Sequence, residues 1–287
     1  MRSALVFGAS GQIGRPLLDL LRDDGWRVLA VSRSAQVDHP GLQWRRGDLS
    51  GDDGLPARVD AIFCCGPLDR FADWYTKTAV ETPRVIAFGS TSIDAKRGSA
   101  DAEERALVER LRTGERIVFD AAEARGAAAT VLRPTLVYGR GADRNLTRIA
   151  AIARRFGRVA LPRQANGLRQ PVHADDLARA AFDALGVAAT QGRTYALPGG
   201  ETLPYREMVA RICAALDPPA RLHELPSPLF NAVLAVAHAT GFARGFNEAA
   251  VRRMRSDLVF DAADARRDFG YAPRPFRPTA AMFAAAG

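Results

Sequence analysis

The order of apolar and amphipathic segments predicts an α/β fold, a doubly wound parallel sheet with a smaller C-terminal lobe. In the first half of the chain, strand-like and helix-like segments alternate, as they do when a parallel sheet carries helices on both faces. A glycine-rich turn follows the first apolar run, and the second half of the chain is more irregular. We therefore expect a larger domain over residues 1–165 and a smaller lobe, interleaved with it, mainly over residues 166–287.

Each predicted strand is a short apolar run bounded by polar or turn residues. The predicted strands are Ala4–Gly8, Arg27–Ser32, Gln43–Arg46, Ala61–Cys65, Arg84–Gly89 and Ala129–Arg133, the last stopped by Pro134. The predicted helices are Ile13–Asp23, Glu103–Arg112, Glu115–Arg125, Leu146–Phe156, Ala174–Leu185 and Tyr205–Leu216. The proline-rich stretch Pro218–Pro228 is expected to be a loop.

Cysteine usage and hydropathy favour a protein of the cytoplasm. The three cysteines, Cys64, Cys65 and Cys213, are odd in number, and two of them are adjacent, which argues against a disulfide framework. Cysteines and histidines do not occur at metal-ligand spacing, so we predict no metal site. The first strand begins at Ala4, so we expect no signal peptide. The apolar stretch Leu229–Ala239 is too short to span a bilayer.

The net charge of +8 comes almost entirely from arginine, since Lys77 and Lys96 are the only lysines. Eight arginines lie in one stretch: Arg140, Arg144, Arg148, Arg154, Arg155, Arg158, Arg163 and Arg169. Such arginines would pair with phosphate oxygens of a substrate, or they would form an exposed basic helix face. The stretch has no interleaved aromatic residues and no known nucleic-acid motif, which argues against a nucleic-acid partner.

The segment Gly8-Ala9-Ser10-Gly11-Gln12-Ile13-Gly14 predicts a dinucleotide site, because it follows a strand and opens a helix. Gly8 permits the tight turn, Gly11 lets backbone amides approach the pyrophosphate, and Gly14 allows the helix to pack closely on the strand. The helix N-terminus then offers unpaired N–H groups to the phosphates. We assign Gly8, Ser10, Gly11, Gln12 and Ile13 to cofactor binding in a Rossmann-type domain.

The end of the second strand favours NADP, although NAD stays possible. An acidic residue there would bind the ribose hydroxyls of NAD, but the chain has Ser32-Arg33-Ser34, and Arg33 would pair with a 2′-phosphate.

Further motifs occur in the order found in extended short-chain dehydrogenases/reductases. They are Gly47–Leu49, Val85–Ser92, Leu132–Gly139, Gln170–Asp176, Leu258–Asp261 and Phe269–Pro273. With the glycine loop, they make the chain resemble the NAD-dependent epimerase/dehydratase family, whose members act largely on nucleotide sugars. The resemblance also implies a homodimer formed through the helices over residues 103–125.

The resemblance implies roles for residues at the ends of the later strands. Asp48 and Leu49 would contact the adenine, although Asp48 would equally cap a turn. The remaining cofactor contacts would come from Cys65, Gly66, Pro67, Ser90, Pro134 and Thr135. Thr91 and Ser92 occupy the place of the catalytic Ser/Thr that binds the reacting oxygen. Arg140, Arg169 and His173 would face the substrate, and a purely structural role is the alternative for His173.

One family feature is absent: none of the five tyrosines is followed by lysine four residues later, so the usual Tyr-x-x-x-Lys pair is missing. Ser92 and Lys96 would supply a different hydroxyl–ammonium pair, unless Lys96 is a solvated loop residue. Asp101 and Arg105 would stand in for the pair, unless they form an ordinary surface ion pair. We therefore expect an NAD(P)-dependent oxidoreductase or epimerase/dehydratase-type enzyme with a non-standard acid–base group, acting on a nucleotide-linked sugar. The alternative is a non-catalytic NADP(H)-binding regulatory or accessory protein.

Overall fold

A computed structural model describes residues 1–143, 145–239 and 248–284. Its strands are β1 (Ser3–Phe7), β2 (Arg27–Ser32), β3 (Leu42–Arg46), β4 (Ala61–Cys64), β5 (Arg84–Phe88), β6 (Ala128–Pro134), β7 (Val137–Tyr138), β8 (Arg158–Pro162), β9 (Leu168–Arg169), β10 (Val172–His173), β11 (Arg193–Leu197), β12 (Leu203–Pro204) and β13 (Arg221–Leu225). Its α-helices are α1 (Gly14–Asp23), α2 (Leu68–Lys77), α3 (Ser92–Ala95), α4 (Ala102–Ala124), α5 (Leu146–Phe156), α6 (Ala174–Leu185), α7 (Tyr205–Ala215), α8 (Ser227–Ala239), α9 (Glu248–Arg253) and α10 (Ala263–Phe269).

The central sheet has seven parallel strands in the order β11-β6-β5-β4-β1-β2-β3. Helices α1, α6 and α10 pack on one face around Leu17, Leu177 and Phe269. Helices α2 and α4 pack on the other face around Phe71 and Val118. The predicted doubly wound α/β fold is therefore confirmed. The carboxyl ends of β1, β4, β5 and β6 meet at one edge of the sheet, which is where such folds bind their ligands.

A third apolar cluster lies beside this edge. Helices α5 and α7 contribute Leu146 and Met208, and Met254, Phe276 and Phe283 come from the last part of the described chain. The short parallel pair of β8 and β13 adjoins the cluster. Within the described ranges, no helix is both long enough and apolar enough to cross a bilayer.

Three sequence-based assignments of secondary structure were wrong. The two helices predicted between Glu103 and Arg125 form the single helix α4, and Gly114 brings its backbone close to that of Asp69 in α2. Helix α2 itself was missed, although its apolar residues recur at helical spacing. The predicted loop Pro218–Pro228 contains strand β13. This strand forms because its backbone pairs with β8, a partner that local sequence does not reveal.

Candidate functional site

The glycine loop after β1 lies so close to the end of β4 that side chains do not fit. Gly8 has φ +69°, and a Cβ atom placed there would lie 2.6 Å from the carbonyl carbon of Cys65. The Gly11 amide donates to the Gly8 carbonyl at 2.9 Å. A Cβ atom on Gly14 would lie 2.3 Å from the Gly8 carbonyl oxygen. Gly8 and Gly14 therefore have the turn and packing geometry expected of them.

The N-terminus of α1 opens on a cavity of about 480 Å³ that is lined by cations. Among the described residues, no side chain caps the start of α1. The Arg15 amide donates to the Gly11 carbonyl at 3.1 Å and Pro16 has no N–H group, so the Gly14 amide is the first-turn donor left for a ligand. Arg15, Arg140 and Arg274 line the cavity together with Gln12, whose buried Oε1 atom has no described hydrogen-bond partner. The arrangement fits the pyrophosphate of a dinucleotide.

Arg140 and His173 lie at this cavity, away from the one that Arg169 lines. The Arg140 guanidinium contacts Asp175 at 2.9 Å, and His173 Nδ1 accepts a hydrogen bond from the Asp175 amide at 3.1 Å. Burial lowers the pKa of His173, which favours a neutral imidazole. Arg169 thus lies at a different cavity from Arg140 and His173, and the roles of all three in substrate binding stay predictions. Arg140 and His173 adjoin the glycine loop, and His173 caps α6.

The end of β2 presents hydroxyl groups and one exposed guanidinium. Ser32 donates from Oγ to Ser10 Oγ at 3.2 Å, and the Ser34 amide donates to Ser32 Oγ at 3.2 Å. Arg33 lies between these serines and is exposed. The place where an acidic residue would bind ribose hydroxyls therefore carries an exposed cation, Arg33, next to a buried serine that bonds to protein groups.

Asp48 follows β3 and forms a turn with Ser50, whose amide donates to Asp48 Oδ1 at 3.0 Å. Hydrogen bonds from Ser50 are the main reason that the pKa of Asp48 is lowered, and Arg70 and Arg33 add to the effect. Asp48 and Leu49 border a cavity of about 490 Å³. Asp48 thus makes the turn that was its alternative role, while its carboxylate stays at the surface near Arg33.

The chain after β4 passes directly beside the glycine loop. The Cys65 amide donates to the Phe7 carbonyl at 2.9 Å, and Pro67 precedes the first residue of α2. Burial raises the pKa of the Cys65 thiol, so this cysteine is unsuited to act as a thiolate. Cys65, Gly66 and Pro67 therefore contribute backbone to the site.

The hydroxyls of Thr91 and Thr135 bond to main-chain carbonyls. The buried Thr91 donates from Oγ1 to the Pro134 carbonyl at 3.0 Å, and Thr135 donates to the Gln170 carbonyl. Thr91 thereby connects the end of β5 to the end of β6. Its hydroxyl proton is engaged in this bond, and its catalytic role stays a prediction.

The short helix α3 carries Ser92 and ends at Lys96, so the i, i+4 spacing places both residues on one face. The Ser92 amide donates to Ser90 Oγ at 3.1 Å. Lys96 Nζ lies 3.4 Å from Glu104 Oε1 in α4 and is mostly shielded from solvent. Lys96 is therefore held by a carboxylate and is not a solvated loop lysine.

Lys96 lines a cavity of about 510 Å³ between α4, α5, α7 and α9. Its apolar wall includes Leu136, Leu146, Ile149, Ile152, Met208 and Met254. Its charged lining consists of Lys96, Asp101, Glu103, Glu104, Arg110, Arg148, Arg169 and Arg253. Leu136 directly follows the predicted cofactor contact Thr135, so the cavity adjoins the end of β6. A substrate with both an apolar and an anionic part would match this lining.

Arg169 lines the cavity, but main-chain carbonyls hold its guanidinium. It donates to the carbonyls of Leu168 at 2.7 Å and Ser256 at 2.8 Å, and also to that of Arg253. The guanidinium carbon lies 5.3 Å from the ring centroid of Tyr205. These carbonyls engage both Nη atoms of Arg169, and its contact with a substrate stays a prediction.

The arginine-rich stretch does not form a single basic face. Arg148 and Arg169 line the large cavity, Arg140 lies at the glycine loop, and Arg154 donates to the carbonyls of Phe283 and Ala280. Arg144 lies outside the described residues. These arginines therefore lie in different parts of the fold and make different contacts.

Asp101 and Arg105 shape the start of α4. Asp101 accepts hydrogen bonds from the amides of Glu103 and Glu104, and Arg105 donates to the carbonyls of Ser99 and Ala100. Through these contacts, both residues stabilise the start of α4. Glu104, which sequence reasoning missed, is the buried acid of this region.

Comparison with known proteins agrees with this geometry. Residues 4–105 and 108–197 match the sequence profile of the NAD dependent epimerase/dehydratase family. A 2-alkyl-3-oxoalkanoate reductase from Stenotrophomonas maltophilia is 27% identical over 94% of this chain and 94% of its own.

Solved structures share the fold at low sequence identity. An epimerase from Methanothermobacter thermautotrophicus superposes with a TM-score of 0.74 and 17% identity, over 98% of this chain and 90% of its own. A UDP-glucuronic acid 4-epimerase from Bacillus cereus, in complex with UDP-glucuronic acid and NAD, gives a TM-score of 0.65 and 13% identity, over 96% of this chain and 95% of its own.

Proposed function

The chain belongs to the NAD-dependent epimerase/dehydratase family, and on this premise we propose that it is an NADP(H)-dependent oxidoreductase or epimerase/dehydratase-type enzyme with Lys96 as its acid–base group. The main support for this proposal is the position of Lys96. Its side chain lines the cavity of about 510 Å³ beside the end of β6 and is held by the buried carboxylate of Glu104. The family's Tyr-x-x-x-Lys pair is absent, and the face of α4 that borders the cavity presents Leu107.

The residues around α3 supply proton transfer and orientation. When bound, a reduced nicotinamide supplies a hydride to the carbon of a substrate carbonyl. Lys96 then gives a proton from its ammonium group to the carbonyl oxygen, and the Ser92 hydroxyl donates a hydrogen bond that orients this oxygen. The product is an alcohol, and the neutral Lys96 amine regains its proton from solvent.

Arg33 and the serines around it support NADP as the cofactor. Arg33 is an exposed cation at the end of β2, and the Ser34 amide and Ser32 hydroxyl lie next to it. A 2′-phosphate would accept charge-assisted hydrogen bonds there. The cations at the glycine loop and the backbone at Gly66 and Pro134 would hold the rest of the dinucleotide.

A nucleotide-linked sugar is the first proposed substrate class. The structural neighbours include an epimerase complexed with UDP-glucuronic acid, and the charged lining near Arg110 and Arg148 would favour a diphosphate. A cytoplasmic location would give access to both this substrate and the cofactor.

The apolar wall of the cavity supports a second candidate, reduction of a 2-alkyl-3-oxo acid. Leu136, Ile149 and Met208 are suited to an alkyl chain, while Arg110 and Arg148 in the charged lining are suited to a carboxylate. The Stenotrophomonas maltophilia relative, matched over nearly its whole length, is a reductase of this kind. In this case, affinity should rise with alkyl length, by about 0.8 kcal/mol for each buried methylene group.

The test is NADPH oxidation by the purified protein against a panel of UDP-sugars and 2-alkyl-3-oxo acids, with wild type, Lys96→Ala and Ser92→Ala. Epimerisation of each UDP-sugar is followed separately by chromatography of the products. We expect turnover with one class, and a loss of about 10²–10⁴-fold in Lys96→Ala at unchanged NADPH affinity. Lys77→Ala is the matched control, because Lys77 is the other lysine and lies exposed on α2.

Two outcomes would contradict the proposal. Turnover that survives Lys96→Ala would remove Lys96 from the chemistry. Cofactor binding without turnover on either substrate class would instead support a non-catalytic NADP(H)-binding protein. Thermal stability with NADPH and NADH gives the binding measurement, since a ligand of the native state raises the melting temperature.

A further inference from the structure

Glu104 is a buried carboxylate at the centre of a charged cluster. Its Oε2 atom accepts hydrogen bonds from Arg253 at 2.6 Å and from Ser99 Oγ at 2.7 Å, while Oε1 lies 3.4 Å from Lys96 Nζ. Its side chain is 9% exposed, so these partners replace the water that a carboxylate otherwise requires. Burial by itself would raise the pKa of Glu104, but Ser99, Arg253 and Lys96 together lower it. Glu104 is therefore ionised at neutral pH.

The partners of Glu104 come from separate parts of the fold. Lys96 directly follows α3, at the carboxyl edge of the central sheet, whereas Arg253 is the last residue of α9. Arg253 also accepts, at its carbonyl, a hydrogen bond from the buried Arg169. A continuous set of contacts thus joins Arg169, Arg253, Glu104 and Lys96 around one end of the cavity.

This geometry restricts Lys96. A lysine side chain has several rotatable bonds, and ordering it costs conformational entropy that a strong partner must offset. The Glu104 carboxylate is largely shielded from water, and its Oε2 atom already accepts hydrogen bonds from Arg253 and Ser99. The carboxylate is itself fixed, so it holds the ammonium at one place on the cavity wall.

From this geometry we infer that Glu104 is a positioning residue, which holds the Lys96 ammonium at the cavity and links it to the substrate-side helix α9 through Arg253. The inference rests on the role proposed above for Lys96. Glu104 itself does not transfer a proton to substrate. Its contribution is the location of Lys96, so its removal should lower kcat more than it raises KM.

The first test is amine labelling, which needs no activity. Wild type, Glu104→Gln, Glu104→Asp and Glu103→Gln are treated with an amine-reactive ester, and labelling of each lysine is quantified by peptide mass spectrometry. Lys77 is an exposed internal standard, because the chain has no other lysine besides Lys96. We expect the Lys96/Lys77 labelling ratio to rise at least about threefold in Glu104→Gln, since the ammonium loses its carboxylate.

The control variants distinguish the loss of the contact that positions Lys96 from a general change in the structure around α4. Glu103 is the exposed neighbour that also lines the cavity, so Glu103→Gln makes the same chemical change without touching Lys96. We expect its labelling ratio to match wild type. Glu104→Asp keeps the charge on a shorter side chain and should fall between wild type and Glu104→Gln. If Glu104→Gln does not fold, the labelling ratio of Glu104→Asp is compared with that of wild type instead.

Kinetics with the substrate found in the panel provide the second test. We expect kcat to fall at least about tenfold in Glu104→Gln at nearly unchanged KM and NADPH affinity, with partial recovery in Glu104→Asp. An unchanged labelling ratio in folded Glu104→Gln would overturn the inference. So would wild-type kcat in Glu104→Gln alongside a collapse in Lys96→Ala, which would leave the proposed function standing. If wild type shows no turnover, the proposed function fails, and the labelling ratio still decides whether Glu104 holds Lys96.

Discussion

Arg253 and Glu104 are 149 positions apart in the chain, yet Arg253 Nη1 lies 2.6 Å from Glu104 Oε2. The contact joins α9 to α4 across one end of the large cavity. Both side chains are largely shielded from water, with 25% and 9% of their surfaces exposed. A charge pair in such a place is costly to break from one side, because the remaining charge stays buried.

The first prediction concerns the coupling between these two residues. In a double-mutant cycle of Glu104→Gln and Arg253→Gln, we expect a coupling free energy of about 1–2 kcal/mol, because each single change leaves the other group with a weaker partner. Urea unfolding of the four proteins measures it. Strict additivity, within about 0.3 kcal/mol, would mean that the pair makes no energetic contribution.

The second prediction concerns the glycine loop. Gly8→Ala should weaken NADPH binding at least about tenfold and lower the melting temperature, because its Cβ would meet the Cys65 backbone at 2.6 Å. Gly25→Ala is the matched control, since Gly25 also has a positive φ, +74°, but has open space around it. That variant should lose about 1 kcal/mol of stability and keep its NADPH affinity. Equal effects in the two variants would contradict the close approach at Gly8.

The third prediction concerns cofactor choice. Arg33→Ser should reduce NADPH affinity by about 10–100-fold and leave NADH affinity nearly unchanged, because only NADPH carries the 2′-phosphate. Fluorescence titration with each cofactor measures both constants. Arg27→Ser, an exposed change at the other end of the same strand, is the control. A proportional loss for both cofactors would show that Arg33 does not discriminate between them.

The fourth prediction concerns Arg84, a buried residue at the start of β5. Its guanidinium donates to the last carbonyls of α6, at Ala184 and Leu185, at 3.0 and 3.2 Å. Arg84→Met should lower the free energy of unfolding by about 3 kcal/mol, since it removes the hydrogen bonds that this buried guanidinium donates. The control is Arg58→Met, because Arg58 and its partner Glu81 are both 74% exposed, and its effect should stay below about 0.5 kcal/mol. Similar losses in urea unfolding would contradict the structural role of Arg84.

The fifth prediction concerns acid stability. Burial tends to raise the pKa of Asp52, but hydrogen bonds from Ala79, Thr78 and Trp74 lower it below the usual 3.8. A depressed folded-state pKa adds stability above the unfolded-state pKa, and this stability is lost as the pH falls from about 5 through the folded-state value. Asp52→Asn should therefore lower the melting temperature at pH 7 and flatten its decline below pH 5. Asp53→Asn, which changes an exposed neighbour, should leave the curve unchanged.

Local patterns were sufficient for six of the seven strands of the central sheet and for the turn at its edge, whereas β11 was not predicted. Strand β2 and helices α5 and α6 begin and end where the sequence predicted. Each is an uninterrupted apolar or amphipathic segment with clear breakers beside it. The spacing from Gly8 to Gly14 likewise carries its own geometric reason, because a side chain at either place would strike neighbouring backbone.

Elements that depend on distant partners were missed or placed incorrectly. Strand β13 pairs with β8, so Arg221 meets Arg158 across 63 residues of chain. Local sequence gives no sign of this strand, since all five of its residues are exposed or only partly buried. Charged side chains were equally hard to place. Arg140 and Arg169 belong to one arginine-rich stretch, but they line different cavities.

The sequence by itself determined the α/β fold, the family and the dinucleotide loop. These follow from the spacing of apolar residues and of motifs along the chain, and from glycines that neighbouring segments of backbone require. Only the tertiary structure decided which polar groups are free to act. It committed the Thr91 hydroxyl to the Pro134 carbonyl and Arg169 to main-chain oxygens, and it brought Glu104 to Lys96. The physical reason is that a buried polar group takes the partner that folding places beside it, and that partner often lies far away in the chain.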